Sequence, residues 1–130
     1  VRHISKGLIA LPPGRKDKNF IAIADRISQF YNASLTLLHV VPADSTKEVI
    51  GQMEESSSII LNKAISKSNL IILKSDSSID AISKTSAGYD LLILGTPQKD
   101  NWINVLFGTG KDKFTEKSAC SVLRLTMKDN

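Results

Sequence analysis

The sequence holds a single cysteine, Cys120, so no intrachain disulfide is available to it. That suits a reducing compartment and leaves the hydrophobic core to supply stability. Aromatic residues are also sparse, at 5%. Lys and Arg are spread along the chain, and the net charge is only +4. Nucleic-acid binders concentrate their positive charge and add exposed aromatics, so this balance reads as a solvated basic surface and no nucleic-acid partner is expected. No apolar run approaches the ~18 residues of a membrane span. The opening stretch VRHISKGLIALPPG lacks the long apolar segment and small-residue cleavage site of a secretory signal. Chemistry-bearing clusters are missing too. His3 and His39 have no second His, Cys or carboxylate at ligand spacing, so no metal site is expected. No Ser-His-Asp or Cys-His arrangement stands out. The segment GTGK at 108–111 lacks the leading glycine and the following hydroxyl of a Walker A loop. An enzyme is therefore not expected.

What is present is ordinary globular material. The chain has 130 residues, of which 42% are apolar and 23% charged, enough for one domain with one core. Short apolar runs alternate with helical patterns. Gly7–Leu11 reads as a buried strand stopped by Pro12, Pro13 and Gly14. Phe20, Ile23, Ala24, Ile27, Phe30 and Tyr31 recur at helical spacing, with Asp17 or Asn19 as cap and Asn32 as stop. Leu35–Val41 is a second strand, ended by Pro42. Ser45-Thr46-Lys47-Glu48 matches a capping box with Ser45 as N-cap. The helix it opens carries an apolar stripe through Ile60, Leu61, Ala64 and Ile65, and Lys67-Ser68-Asn69 closes it. Leu70–Leu73 is a third strand, a short helix starts at Ser77 or Ser78 and ends at Gly88, and Leu91–Leu94 is a fourth strand. A fourth helix capped by Thr109 and a fifth strand, Ser121–Thr126, complete the pattern. Alternating strands and helices imply an α/β fold with a parallel sheet covered on both faces.

The stretch Asp90–Thr109 stands apart. It begins as a strand, breaks at Gly95, crosses a long loop containing Trp102, and ends at Gly108-Thr109. A strand that hands over to a helix start through glycines is where α/β proteins hold anions and nucleotides. Glycines let backbone N–H groups reach phosphate oxygens, and Lys111 stands beside them. Asp112 brings negative charge to the same helix start and opposes an anion there. A second reading stays open, in which the glycines only turn the chain and Trp102 plugs the loop.

LTLLHVVP, AGYDLLILGT and ACSVLRL resemble the corresponding strands of the universal stress protein family, and the resemblance covers essentially the whole chain. The family signature Gly-x2-Gly-x9-Gly-(Ser/Thr) is met by Gly95, Gly108 and Thr109, with Gln98 where the family has its second glycine. The resemblance implies a three-layer sandwich of the adenine nucleotide alpha hydrolase-like type. Its five-stranded parallel sheet would run in the order 3-2-1-4-5. Residues 1–130 would form one such domain, and Val1 in place of Met reads as the edge of a piece cut from a longer protein. The implied ligand positions are Leu11, Pro12 and Pro13 after the first strand and Val40 and Val41 flanking a base. Gly95, Thr96, Gln98, Gly108, Thr109, Gly110 and Lys111 would lie around the phosphates. Nucleotide-holding members carry an acidic residue where this chain has Leu11-Pro12-Pro13. The HxGH, KMSKS-like and SGGxDS motifs of related enzymes are absent.

The expected role is a regulatory or sensor domain. It would be appended to a membrane transporter or sensor protein on its cytoplasmic face. It would act through a homodimer or sister domain joined by the last strand, with nucleotide binding weakened or lost. The alternative is a stand-alone cytoplasmic domain that holds ATP or AMP.

Overall fold

The computed structural model describes residues 4–11, 17–96 and 121–126. Five strands and three helices follow one another: β1 (Lys6–Leu11), α1 (Asp17–Tyr31), β2 (Ser34–Val41), α2 (Lys47–Leu61), β3 (Ser68–Lys74), α3 (Ser78–Ser86), β4 (Leu91–Thr96) and β5 (Ser121–Thr126). The strands form one sheet in the order β3-β2-β1-β4-β5, and every pairing is parallel. This is the expected α/β architecture and strand order. The fourth helix foreseen after Thr109 lies outside the described residues.

Parallel strands buried on both faces need apolar side chains in both directions, and the strand sequences supply them. Ile9, Leu11, Leu35, Leu37, Leu91 and Ile93 face α1 and α2, where they meet Phe20, Ile21, Ala24 and Leu61. The alternate residues Leu8, Ala10, Leu38, Val40, Leu92 and Leu94 face the other way, onto Ile82 of α3. A strand with period 2 thus builds two cores at once, and three layers result.

The ends of the helices show where sequence reading and structure part. Asp17 is already the first residue of α1 and Asn19 lies within its first turn, so Asn19 is not the cap. The far end is as expected: Asn32 takes φ 55, and the N–H groups of Ala33 and Asn32 donate to the carbonyls of Ser28 and Gln29. That is a Schellman close, in which asparagine tolerates the left-handed conformation. The inner face of α1 differs from the foreseen stripe. Ile21, Asp25 and Ser28 are buried, whereas Ile23 and Tyr31 are exposed and Phe30 is 83% exposed.

In α2 the cap is Thr46, whose hydroxyl accepts the Val49 N–H at 3.2 Å. Ser45 instead donates its hydroxyl to the Pro42 carbonyl at 2.7 Å. Two adjacent hydroxyls compete for one role, and the chain reversal after Pro42 takes the first of them. The helix stops at Leu61, short of the Ala64–Ile65 pair. Ser68 and Asn69, read as the close of that helix, are the first residues of β3. Ser77 caps α3 as expected by accepting the Asp80 N–H. That helix ends at Ser86, two residues before Gly88. Asp80 in its first turn and Lys84 in its last complement the helix dipole.

At the amino ends of the strands, Asp90 ties β4 to β1. One carboxylate oxygen accepts from the Ser5 N–H, the Ser5 hydroxyl and the Lys6 N–H, each at 3.0 Å. The Asp90 N–H donates to the Lys6 carbonyl. These contacts help set the register in which Gly7 sits opposite Leu91 at the centre of the sheet.

Candidate functional site

The chain leaves β1 in one direction to build β2 and β3, then crosses back to build β4 and β5 on the other side. The reversal puts a topological switch point between β1 and β4, and open α/β sheets hold ligands outside the carboxyl ends of such strands. Leu11, Val41, Lys74 and Thr96 are the last residues of β1, β2, β3 and β4, and all four ends lie on one side because the sheet is parallel.

Leu11 is buried, and its side chain belongs to the core under α1 and α2. It stands opposite His39 of β2. Val40 and Val41 are buried at the end of β2. Gly95 and Thr96 continue β4 beyond the expected break and pair with Leu125 and Thr126 of β5. Pro12, Pro13, Gln98, Gly108, Thr109, Gly110 and Lys111 lie outside the described residues.

Val40 and Val41 border a cavity of about 300 Å³ at the carboxyl ends of β2 and β3, together with Pro42, Ser75, Asp76 and Ser78. Ser75 and Asp76 come from the turn between β3 and α3, and Ser78 is the first residue of α3. That turn is built by its own hydroxyls: Ser75 Oγ donates to the Ser77 carbonyl and accepts the Ser77 N–H. Asp76 Oδ1 accepts the Ala43 N–H at 3.1 Å, which joins the β2–α2 and β3–α3 turns across the cavity. The sequence marked Ser77 and Ser78 only as a helix start. The polar wall could not be read from it, because it depends on how the β3–α3 turn folds against the β2–α2 turn.

Compared by sequence, no protein-family model and no curated protein matches this chain. Compared by structure, it superposes on a universal stress protein solved in complex with cAMP. The TM-score is 0.68 and the identity 14%, over 96% of this chain and 99% of that one. A universal stress protein from Archaeoglobus fulgidus in complex with dAMP gives 0.67 at 13% identity, over 95% and 98%. One from Burkholderia pseudomallei gives 0.61 at 16% identity, over 96% and 98%. The chain has the universal stress protein fold. Identities this low establish the architecture and say nothing by themselves of ligands.

Within this fold, His39 sits under α2. It is buried, and its Nε2 lies 3.0 Å from the Ser57 hydroxyl. Burial pushes its pKa below the ordinary 6.5, against a weaker opposing pull from the Leu11 backbone. Its unfolded-state pKa is therefore the higher of the two, and the unfolded chain takes up a proton that the folded one resists. Stability is full above about pH 6.5 and falls as pH drops below it. Urea unfolding between pH 7.5 and 5.5 is expected to show this loss, and His39→Gln is expected to flatten it. An unchanged slope in the variant would assign the acid sensitivity to other groups.

The chain also carries a cluster that the sequence did not announce. Asp25 is buried on the inner flank of α1. Its Oδ2 accepts the Ile65 N–H at 3.0 Å and the Gln29 side-chain amide at 3.2 Å, and its Oδ1 accepts the Ser66 N–H at 3.0 Å. Among the described residues, no group of three or more His, Cys, Asp or Glu is arranged to hold a metal ion. No helix there is long and apolar enough to cross a membrane.

Proposed function

We propose that this chain is a regulatory domain of the universal stress protein family that signals through partner contacts, with adenine-nucleotide binding weakened or lost. The end of β1 carries this reading. There the chain supplies Leu11, buried in the core, followed by Pro12 and Pro13. By family resemblance this is the place of the acidic residue that contacts the adenosine part. No carboxylate stands there, and Gln98 replaces the glycine at which backbone approaches phosphate. No general acid, base or nucleophile is assigned, and the domain works by binding rather than by catalysis.

Among the described residues, β5 forms one edge of the sheet and pairs with β4 on one side only. An edge strand is a ready template for a second copy or a sister domain. Joined so, and appended to a transporter or sensor protein at the cytoplasmic face of a membrane, the domain passes a change of state to its neighbour through the sheet edge.

A second reading, a stand-alone domain that holds ATP or AMP, is favoured by the cavity beside Val40 and Val41. Its apolar valines and its Ser75, Asp76 and Ser78 wall offer a surface for a base and acceptors for ribose hydroxyls. Thermal unfolding with and without ATP, AMP and cAMP separates the two. A ligand that binds only the folded state stabilises it by RT ln(1 + [L]/Kd), about 4 kcal/mol for millimolar ligand on a micromolar site. The first reading expects no shift with any of the three. A shift of several degrees with one of them would establish the second.

A further inference from the structure

A second cavity lies away from the strand ends, between α1 and the segment that follows α2. Its volume is about 290 Å³. Its apolar lining comes from Ile21, Ala22, Ile60, Ala64 and Ile65. Lys18, Arg26 and Lys63 complete the rim, all exposed, and none of their side chains is in an ion pair or hydrogen bond among the described residues. Lys18, Ala22 and Arg26 follow one another at four-residue steps, so they line one face of α1.

Among the described residues, Asp25 is the one carboxylate in this lining, and its charge is already taken up. Both of its oxygens accept backbone N–H groups, from Ile65 and Ser66. Those bonds also fix the wall of the groove. The Ile65 N–H is held by this buried carboxylate, and its side chain is 79% exposed. A large aliphatic group pinned in water beside an apolar groove is poised to gain burial from whatever enters.

We propose that this groove binds a single-chain anionic amphiphile, specifically a medium-chain fatty carboxylate. The alkyl chain lies along Ala22, Ile60 and Ala64 under Ile65, and the carboxylate meets Arg26 and Lys63 or Lys18 at the rim. Charge complementarity selects an anion, since three unpaired cations surround a floor whose only acid is internally satisfied. Size selects a single chain. The volume is at the small end of the ~300–1,000 Å³ typical of ligand cavities and is too small to seat a helix some ~10 Å across.

Isothermal titration of the whole chain with decanoate, below its micelle-forming concentration, tests this. Decanol and decyltrimethylammonium serve as neutral and cationic controls of the same chain length. Decanoate is expected to bind at one site, decanol about tenfold more weakly, and the cation not at all. Ala22→Trp, at an exposed helical position, fills the groove and is expected to abolish binding while the protein unfolds at an unchanged temperature. Arg26→Glu with Lys63→Glu is expected to weaken decanoate at least about tenfold and leave decanol unchanged. Absence of decanoate binding, equal binding of the cation, or binding indifferent to Ala22→Trp would each overturn the proposal. So would binding of decanoate only in the presence of anionic phospholipid vesicles, which would mark a membrane surface instead.

Discussion

Phe20→Ala is expected to cost about 3–5 kcal/mol of stability, while Phe30→Ala on the same helix is expected to change it by less than about 0.5 kcal/mol. Phe20 is fully buried in the core between α1 and the sheet, among Ile9, Leu35, Leu37 and Ile93. Truncating it removes apolar contact and leaves a cavity that the β1–β2 pair is too constrained to fill. Phe30 is 83% exposed, and among the described residues its one ring contact is edge-to-face with Tyr31 at 5.0 Å. Small domains hold only about 5–15 kcal/mol in all, so the first substitution leaves the protein near its unfolding threshold and the second does not. Urea titration measures both. The slope with denaturant should be the same in both variants, since the surface exposed on unfolding hardly changes. Similar losses for the two would mean that α1 is rotated from the orientation described.

The contrast also marks how far periodicity reaches. The sheet was legible because its strands are short, apolar on both faces and separated by clear breakers, so Pro42 and the alternation with helices fixed their number and direction. The strand order 3-2-1-4-5 was legible only through resemblance, because spacing alone does not say which strands are neighbours. In α1 an apolar residue stands at 20, 21, 22, 23, 24, 27, 30 and 31. Several overlapping stripes fit that pattern, and the one read from the sequence kept Ile23 and Phe30 while passing over Ile21. The polar members of the true inner face, Asp25 and Ser28, count against burial in any hydrophobic pattern. Of the ligand positions expected from the resemblance, Val40 and Val41 border a cavity at the carboxyl ends of β2 and β3. The Ser75–Ser78 wall of that cavity was not legible, since it is set by turn contacts such as Asp76 to the Ala43 N–H that no sequence pattern marks.

Asp25→Ala is expected to cost about 2–3 kcal/mol at neutral pH, as much as many core truncations, although the residue is an acid. The apolar pattern of α2 runs on to Ile65, yet the helix ends at Leu61, and Asp25 supplies the reason. After Leu61 the chain tightens, with the N–H groups of Lys63 and Ala64 donating three residues back to Ile60 and Leu61. The next two N–H groups, of Ile65 and Ser66, leave the helical path and donate to the Asp25 carboxylate at 3.0 Å each. Hydrogen bonds to an ionised acceptor are about twice as strong as neutral ones, so the carboxylate outcompetes the carbonyls that would have prolonged the helix. Burial alone would raise the Asp25 pKa, but the N–H groups of Ile65 and Ser66, with the Ser66 side chain and the Gln29 amide, outweigh it and hold the carboxyl below its ordinary 3.8. The unfolded chain therefore takes up this proton first. The contribution is whole above about pH 5, declines as pH falls through 3.8, and is gone below the folded-state value. Asp25→Asn keeps the shape and one acceptor oxygen but not the charge. It should lose part of the stability at pH 7, and its gap from wild type should close as pH is lowered towards 3. Chemical unfolding of the three proteins across that range reads the effect directly. A gap independent of pH would mean that Asp25 acts by packing and not by charge, and that something other than its carboxylate turns the chain from α2 into β3.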